Sequence, residues 1–163
     1  MRSVEFVPFK LTEIADIYSI RIDGNNESEL QKFLINFKDT QNLYLKRDFY
    51  EIINSIQKMS IEGIKEVYFR PEGKFNDRVY ALPIYTIPRN NKQGTLRLYC
   101  IRISDKLLII GGGGEKTTRT YDEDEHLSEI VATLQEIDKR LLTLEDDGVD
   151  LYSTINNLKI SIK

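Results

Sequence analysis

The spacing of apolar residues divides the chain into segments with a two-residue period and segments with a helical period. Runs rich in Ile, Val, Phe and Tyr at 4–9 and 14–22 predict two strands. Apolar positions then recur every three or four residues through 30–37 and 45–59, and this spacing predicts two helices joined by a short polar link. Ser28, followed three residues later by Gln31, has the form of a capping box and marks the start of the first helix.

After Lys65 the period returns to two. We expect strands at 66–70, 78–87, 95–103 and 106–111. Pro83 cannot donate to a ladder and therefore indicates an edge or a bulge. A final helix follows the acidic run DEDE, whose charges suit the positive end of a helix dipole, and an apolar stripe runs along it from Leu127 to Leu141.

This order of elements predicts an α+β fold in which a helical hairpin packs on a mostly antiparallel sheet and a C-terminal helix follows. We expect one domain over 1–146 and a short C-terminal appendage over 147–163. The core should join the hairpin to the central strands by the contacts of Phe33, Leu34, Phe49, Ile53 and Ile56 with Leu96, Leu98, Cys100 and Ile109. Strand alternation then places Arg97 and Tyr99 on the opposite face of the sheet.

Composition bounds the class of protein. The 163 residues are 40% hydrophobic and 30% charged, which is typical of one ordinary globular domain. A single cysteine and a single histidine exclude a disulfide framework and Cys/His zinc patterns, and we expect neither a metal nor another cofactor. No apolar run has the length of a membrane span, so we expect a cytoplasmic protein without a membrane partner.

Charge is distributed unevenly along the chain. Residues 1–121 contain 19 Lys and Arg and 15 Asp and Glu, a net charge of +4, whereas residues 122–163 contain 4 and 11, a net charge of −7. Acidic ends are most often solvated faces, but a basic body can also bind a polyanion that an acidic end shields.

The stretch LLIIGGGGEKTTRTY, residues 107–121, invites comparison with phosphate-binding loops. A P-loop ending at Lys116 requires glycine at 115 and 110, where the chain has Glu115 and Ile110. The dinucleotide pattern Gly-x-Gly-x-x-Gly would place its last glycine on Lys116 or Thr117, so it fails as well. We therefore expect the four glycines to form a turn at the end of a buried strand.

The segment 95–117 nevertheless resembles the RelE/HigB superfamily of bacterial toxins, in particular the phage-derived Gp49-like group. Members have an Arg-aliphatic-aromatic strand, a short turn, an aliphatic strand, a small-residue step and Lys-Lys/Arg-Thr before a final helix. Here these features are Arg97-Leu98-Tyr99, Ser104-Asp105, 107–110, 111–114 and Lys116-Thr117. The first helix is also similar, through its Phe33-Leu34 pair, and the resemblance covers roughly 15–142.

The resemblance implies a ribosome-dependent mRNA endonuclease toxin that a cognate helix-turn-helix antitoxin neutralises. In this metal-independent reaction the ribose 2′-OH attacks the scissile phosphate, which requires a base, an acid and cations for the developing charge. It implies catalytic roles for Arg97, Lys116 and Tyr121. RNA-binding roles would fall to four further residues: Arg119, Tyr99, Lys74 and Arg78.

Two departures from the family pattern keep other functions open. Ala81-Leu82-Pro83 stands where many members have Glu-Leu-Arg, and Glu115-Lys116 replaces two basic residues. One alternative is a catalytically inactive RelE-like fold that binds protein or RNA. Another is an unrelated small α+β protein. We interpret His126, the only histidine, as a helix-start residue without a chemical role.

Overall fold

The computed structural model describes residues 1–71, 77–83, 95–117 and 124–163. These residues form an α+β structure of seven strands and four α-helices. The strands are Arg2–Leu11 (β1), Asp16–Ile22 (β2), Arg70–Pro71 (β3), Val79–Leu82 (β4), Thr95–Ser104 (β5), Leu107–Lys116 (β6) and Lys159–Ile162 (β7). The helices are Glu29–Phe37 (α1), Leu43–Glu62 (α2), Glu125–Asp146 (α3) and the single turn Leu151–Thr154 (α4).

The helices begin where side chains can accept the first backbone N–H groups. Ser28 accepts from the Gln31 N–H while the Gln31 side chain accepts from the Ser28 N–H, so the predicted capping box is confirmed. The Asn42 side chain caps α2, and Asp124 caps α3 by accepting from the Leu127 N–H. These caps fix the start of each helix relative to the sheet beneath it.

The described strands form one sheet in the order β3-β4-β5-β6-β2-β1-β7. Neighbours are antiparallel except β2 and β6, where Ile17 lies opposite Leu108. The sheet is therefore mostly antiparallel, as predicted. β5 and β6 form its centre, with Arg97 opposite Gly114 and Thr95 opposite Lys116.

Helices cover both faces of the sheet. On the hairpin face, α1 and α2 enclose an apolar cluster that includes Phe33, Phe49 and Leu98. On the α3 face, a second cluster joins β1, β2, β5 and β7 to α3 and includes Tyr99 and Leu134. The structure is thus a three-layer arrangement, and α3 covers the face that the sequence analysis left open.

Three details differ from the predicted elements. Residues Glu66–Tyr68 form a 3-10 turn, and a strand of only two residues, Arg70–Pro71, follows it. Ile109 belongs to the α3-face cluster, because the register of β6 instead directs Leu108 and Ile110 to the hairpin face. The predicted turn at the glycines is also wrong, since β6 continues through them to Lys116.

The C-terminal segment joins the sheet rather than standing apart as an appendage. β7 pairs with β1, with Ile162 opposite Arg2 and Ile160 opposite Val4. Its two isoleucines and Leu151 are buried in the α3-face cluster. Removing 147–163 would therefore expose core residues, and it would leave the net charge unchanged because the segment contains two Asp and two Lys.

Candidate functional site

Two of the predicted catalytic residues lie on the same face of the paired strands β5 and β6. Arg97 is opposite Gly114, and Lys116 lies two residues further along β6, opposite Thr95. Alternate residues of a strand share a face, so Arg97 and Lys116 are diagonal neighbours, a relation that places Cβ positions about 7–8 Å apart. A Cβ built on Gly114 would lie beside Leu127, so this face is the one under α3.

The glycines of β6 let a bulge and close packing coexist. Leu98 pairs with Gly113 and Cys100 with Ile110, so β6 has one more residue than β5 across this interval. A Cβ on Gly113 would overlap the carbonyl oxygen of Arg97. A Cβ on Gly111 would lie only 2.7 Å from a methyl group of Leu134 on α3. This packing agrees with the expectation that the glycines have a structural role rather than a phosphate-binding one. They lie in a strand, however, and not in the predicted turn.

Two further glycines leave space beneath two polar side chains. The Nε2 atom of His126 lies 3.8 Å from a Cβ built on Gly114, and the Oε1 atom of Glu29 lies 3.7 Å from a Cβ built on Gly112. A cleft of about 150 Å³ opens here between α3, α1 and the first two strands. Its polar lining comes from Arg2, Glu29, His126, Glu129 and Thr133.

The carboxylates of this region do not all face the predicted cations. Glu115, adjacent to Lys116 in sequence, pairs with Leu96 and so lies on the hairpin face. Glu29 lies at the cleft and forms an ion pair of 2.9 Å with Lys32. The Glu115 carboxylate is therefore separated from Lys116 by the sheet.

Arg97 and Tyr99 are buried beneath α3 instead of standing on an open face. Arg97 is only 2% exposed, and its Nη1 donates to the carbonyl of Leu96 at 3.1 Å. Tyr99 is fully buried in the α3-face cluster. Tyr99 thus has no exposed ring for a base to stack on, and Arg97 can act on a substrate only from below the surface.

Arg78 lies at the other end of the sheet, near Arg102 of β5, whose N–H donates to the Arg78 carbonyl. Its guanidinium donates to Asp138 at 2.8 Å and to Glu145 at 3.1 Å, both on α3. The backbone N–H of Arg78 also donates to Asp138. Two carboxylates therefore balance the charge of Arg78, which joins the sheet to α3 far from Lys116.

The remaining predicted residues, Lys74, Arg119 and Tyr121, lie outside the described residues. Sequence analysis did not place His126 and Glu29 in a site, because neither belongs to a motif and only the pairing of β6 with its neighbours and the packing of α1 and α3 bring them over Gly114 and Gly112. Their proximity depends on the bulge and on the placement of α3. The one signal in the sequence was that His126 is the only histidine.

The cleft offers the imidazole of His126, the guanidinium of Arg2 and the carboxylates of Glu29 and Glu129, which are groups that can transfer protons or stabilise an anion. Burial raises the pKa of the Cys100 thiol, so this side chain is a poor nucleophile. Within the described ranges, no cluster of three or more His, Cys, Asp or Glu side chains could hold a metal ion. Nor does any described helix have the length and apolar character needed to cross a membrane.

Comparison of the chain with protein-family models, with curated proteins and with solved structures gave no match.

Proposed function

We propose that the protein is an mRNA endonuclease toxin of the RelE/HigB type, which cuts ribosome-bound mRNA by 2′-OH attack and is neutralised by a cognate antitoxin. The sequence resemblance supplies the reaction. The observation that carries the proposal is the convergence of Lys116, Arg97 and His126 at one end of the α3 face.

His126 and Lys116 are the groups that we assign to the reacting atoms. The exposed imidazole can take the 2′ proton or return a proton to the leaving 5′ oxygen, since histidine exchanges protons near neutral pH. Lys116 can stabilise the charge that develops on the phosphate oxygens. Tyr121 and Arg119, between Thr117 and α3, would complete the site as the resemblance implies.

Arg97 takes a different role from the catalytic one that the resemblance implies. Because its side chain is buried, we assign it as a positioning residue that supports the strand pair carrying Lys116. This role needs no direct contact with RNA.

Growth and cleavage assays of the intact chain and three variants test the proposal. Expression in a bacterium should arrest growth and cut ribosome-bound mRNA, as read by primer extension. Lys116→Ala and His126→Ala should each slow cleavage about 100-fold or more, because each removes one preorganised group. Lys139→Ala, which removes an exposed lysine further along α3, is the charge-matched control and should cleave as the intact chain does.

A harmless intact chain that leaves mRNA uncut, or a Lys139→Ala variant as impaired as Lys116→Ala, would defeat the enzyme proposal. The second candidate, a protein-binding module of the same architecture, would then stand. Two observations favour it: the burial of Arg97 and the neutralisation of Arg78 by Asp138 and Glu145. Both leave the described α3 face less basic than an RNA-binding face requires.

A further inference from the structure

The outer face of α2 carries a shallow groove that the proposed reaction does not use. Its volume is about 410 Å³. The lining residues follow one stripe of the helix, at spacings of three and four positions: Leu43, Lys46, Arg47, Tyr50, Glu51 and Asn54. The other side of α2 packs on the sheet, so this stripe faces away from the core.

Two large apolar side chains in the stripe are exposed. Leu43 is 76% exposed and Tyr50 is 55% exposed, whereas Leu45 and Ile52 on the inner side of the same helix are 5% and 0% exposed. Leu43 and Tyr50 are seven positions apart, which places them on the same side of α2 two turns apart. Single exposed apolar residues are common, but two in register along one groove form a pair of anchor points for a helix.

The charges between these anchors are mostly positive. Lys46 and Arg47 lie between Leu43 and Tyr50 and, among the described residues, neither forms an ion pair. Glu51 follows Tyr50 and makes the C-terminal part of the stripe negative. A complementary partner therefore carries carboxylates opposite Lys46 and Arg47 and a neutral or basic residue opposite Glu51.

We propose that this groove docks an acidic amphipathic helix of a partner protein. The partner would place apolar side chains seven positions apart against Leu43 and Tyr50, with carboxylates between them. A single-stranded RNA fits less well, because Leu43 offers no ring for base stacking and Glu51 repels a phosphate. Tyr and Arg are the residues that most often carry binding energy at such interfaces, and the groove has one of each.

The docking surface is separate from the catalytic proposal. It lies on the outside of the hairpin layer, whereas His126 lies in the α3 layer on the other face of the sheet. Variants in the groove should leave mRNA cleavage unchanged, and variants at Lys116 or His126 should leave docking unchanged. The two proposals can therefore fail independently.

The test uses a fluorescein-labelled synthetic helix that carries two leucines seven positions apart with glutamates between them. A matched helix with lysines in place of the glutamates is the control peptide. Fluorescence anisotropy against the intact chain should show saturable binding of the glutamate helix only. Tyr50→Ala should weaken it about thirtyfold, the effect expected for an interface hot spot. The variant with both Lys46→Glu and Arg47→Glu should lose the glutamate helix and bind the lysine helix instead.

Every other result overturns the proposal. These results are an absence of saturable binding, equal binding of the two helices, an unchanged affinity in Tyr50→Ala, and displacement of the peptide by a single-stranded RNA oligonucleotide, which would assign the groove to nucleic acid. Thermal unfolding of each variant provides the folding control, and the exposed positions of these side chains make a large stability change unexpected.

Discussion

The two faces of the sheet use similar apolar residues but differ at their margins. The hairpin face is closed by α1 and α2, and its buried polar groups serve the backbone: the Asp48 side chain accepts from the Leu96 N–H and Ser19 accepts from the Leu30 N–H. The α3 face has an apolar centre with charged groups at both ends. One end holds Arg78 in ion pairs, and the other holds Lys116 and His126 near a cleft.

This contrast separates Arg78, whose ion pairs hold α3 on the sheet, from the charged groups to which we assign a chemical role in the proposed function. The sequence analysis assigned both Arg78 and Arg97 to the RNA site. In the structure Arg78 forms an ion pair with Asp138 on α3, whereas Arg97 is buried on the face that α3 covers. Only packing distinguishes them. Mutations on the hairpin face should therefore change only the stability of the protein, and mutations at the cleft end of the α3 face should change its proposed activity.

The largest effect should come from the centre of the hairpin face. Phe49 is 8% exposed and its ring stacks near that of Phe33, with centroids 6.1 Å apart. Phe49→Ala should lower the free energy of unfolding by about 3–5 kcal/mol, because it removes buried area and leaves a cavity. Chemical denaturation measures this change. Tyr50→Ala, one residue along and 55% exposed, should change the same quantity by only about 1 kcal/mol or less, because its ring contacts Phe49 edge-on and is otherwise solvated.

The glycine strand allows the two faces to be compared at adjacent positions. Gly113→Ala directs a methyl group toward the hairpin face, into the Arg97 carbonyl and the Phe33 ring, and should cost about 3 kcal/mol. Gly114→Ala directs it toward α3, 3.4 Å from Leu127 and 3.5 Å from His126, and should cost less than about 1 kcal/mol. Equal unfolding midpoints for the two variants would contradict the register of β5 and β6.

A smaller loss of stability than that of Phe49→Ala or Gly113→Ala is expected at the ion-paired end of the α3 face. Arg78→Ala leaves Asp138, whose side chain is 1% exposed, without its guanidinium partner. Because the Arg78 side chain itself is 20% exposed, we expect a loss of about 2 kcal/mol, below the range for fully buried pairs. Arg140→Ala is the control, because Arg140 is an exposed arginine on α3, the helix that carries Asp138. If the protein cleaves mRNA as we propose, folded Arg78→Ala should cleave it as the intact chain does, and a catalytic defect in this variant would instead place Arg78 in the RNA-binding site.

Local signals in the sequence were reliable where local physics decides the structure. The capping box at Ser28 and the apolar stripe of α2 depend on neighbours within one or two turns, and both are present. The predicted face of Ile109 was wrong. Ile109 pairs with Ile101 of β5 and shares its α3 face, a register that follows from strand pairing and from the bulge at the glycines. Alternation along one strand cannot reveal a bulge that arises from pairing with another.

The candidate site depended even more on long-range contacts. Arg97 was expected on an open face because no local pattern shows that α3 returns across the sheet to cover it. The position of His126 over Gly114 likewise depends on how α3 packs on β6. Both facts come from the packing of residues far apart in the chain, which is where inference from one sequence is weakest.

The pairing of β7 with β1 has a practical consequence for protein engineering. Arg2 donates from Nη2 to the carbonyl of Lys163 at 2.8 Å, so residues 2 and 163 are in contact. Arg2 also lines the cleft that contains His126. A purification tag joined to residue 1 or to residue 163 would therefore begin beside this cleft and obstruct access to His126.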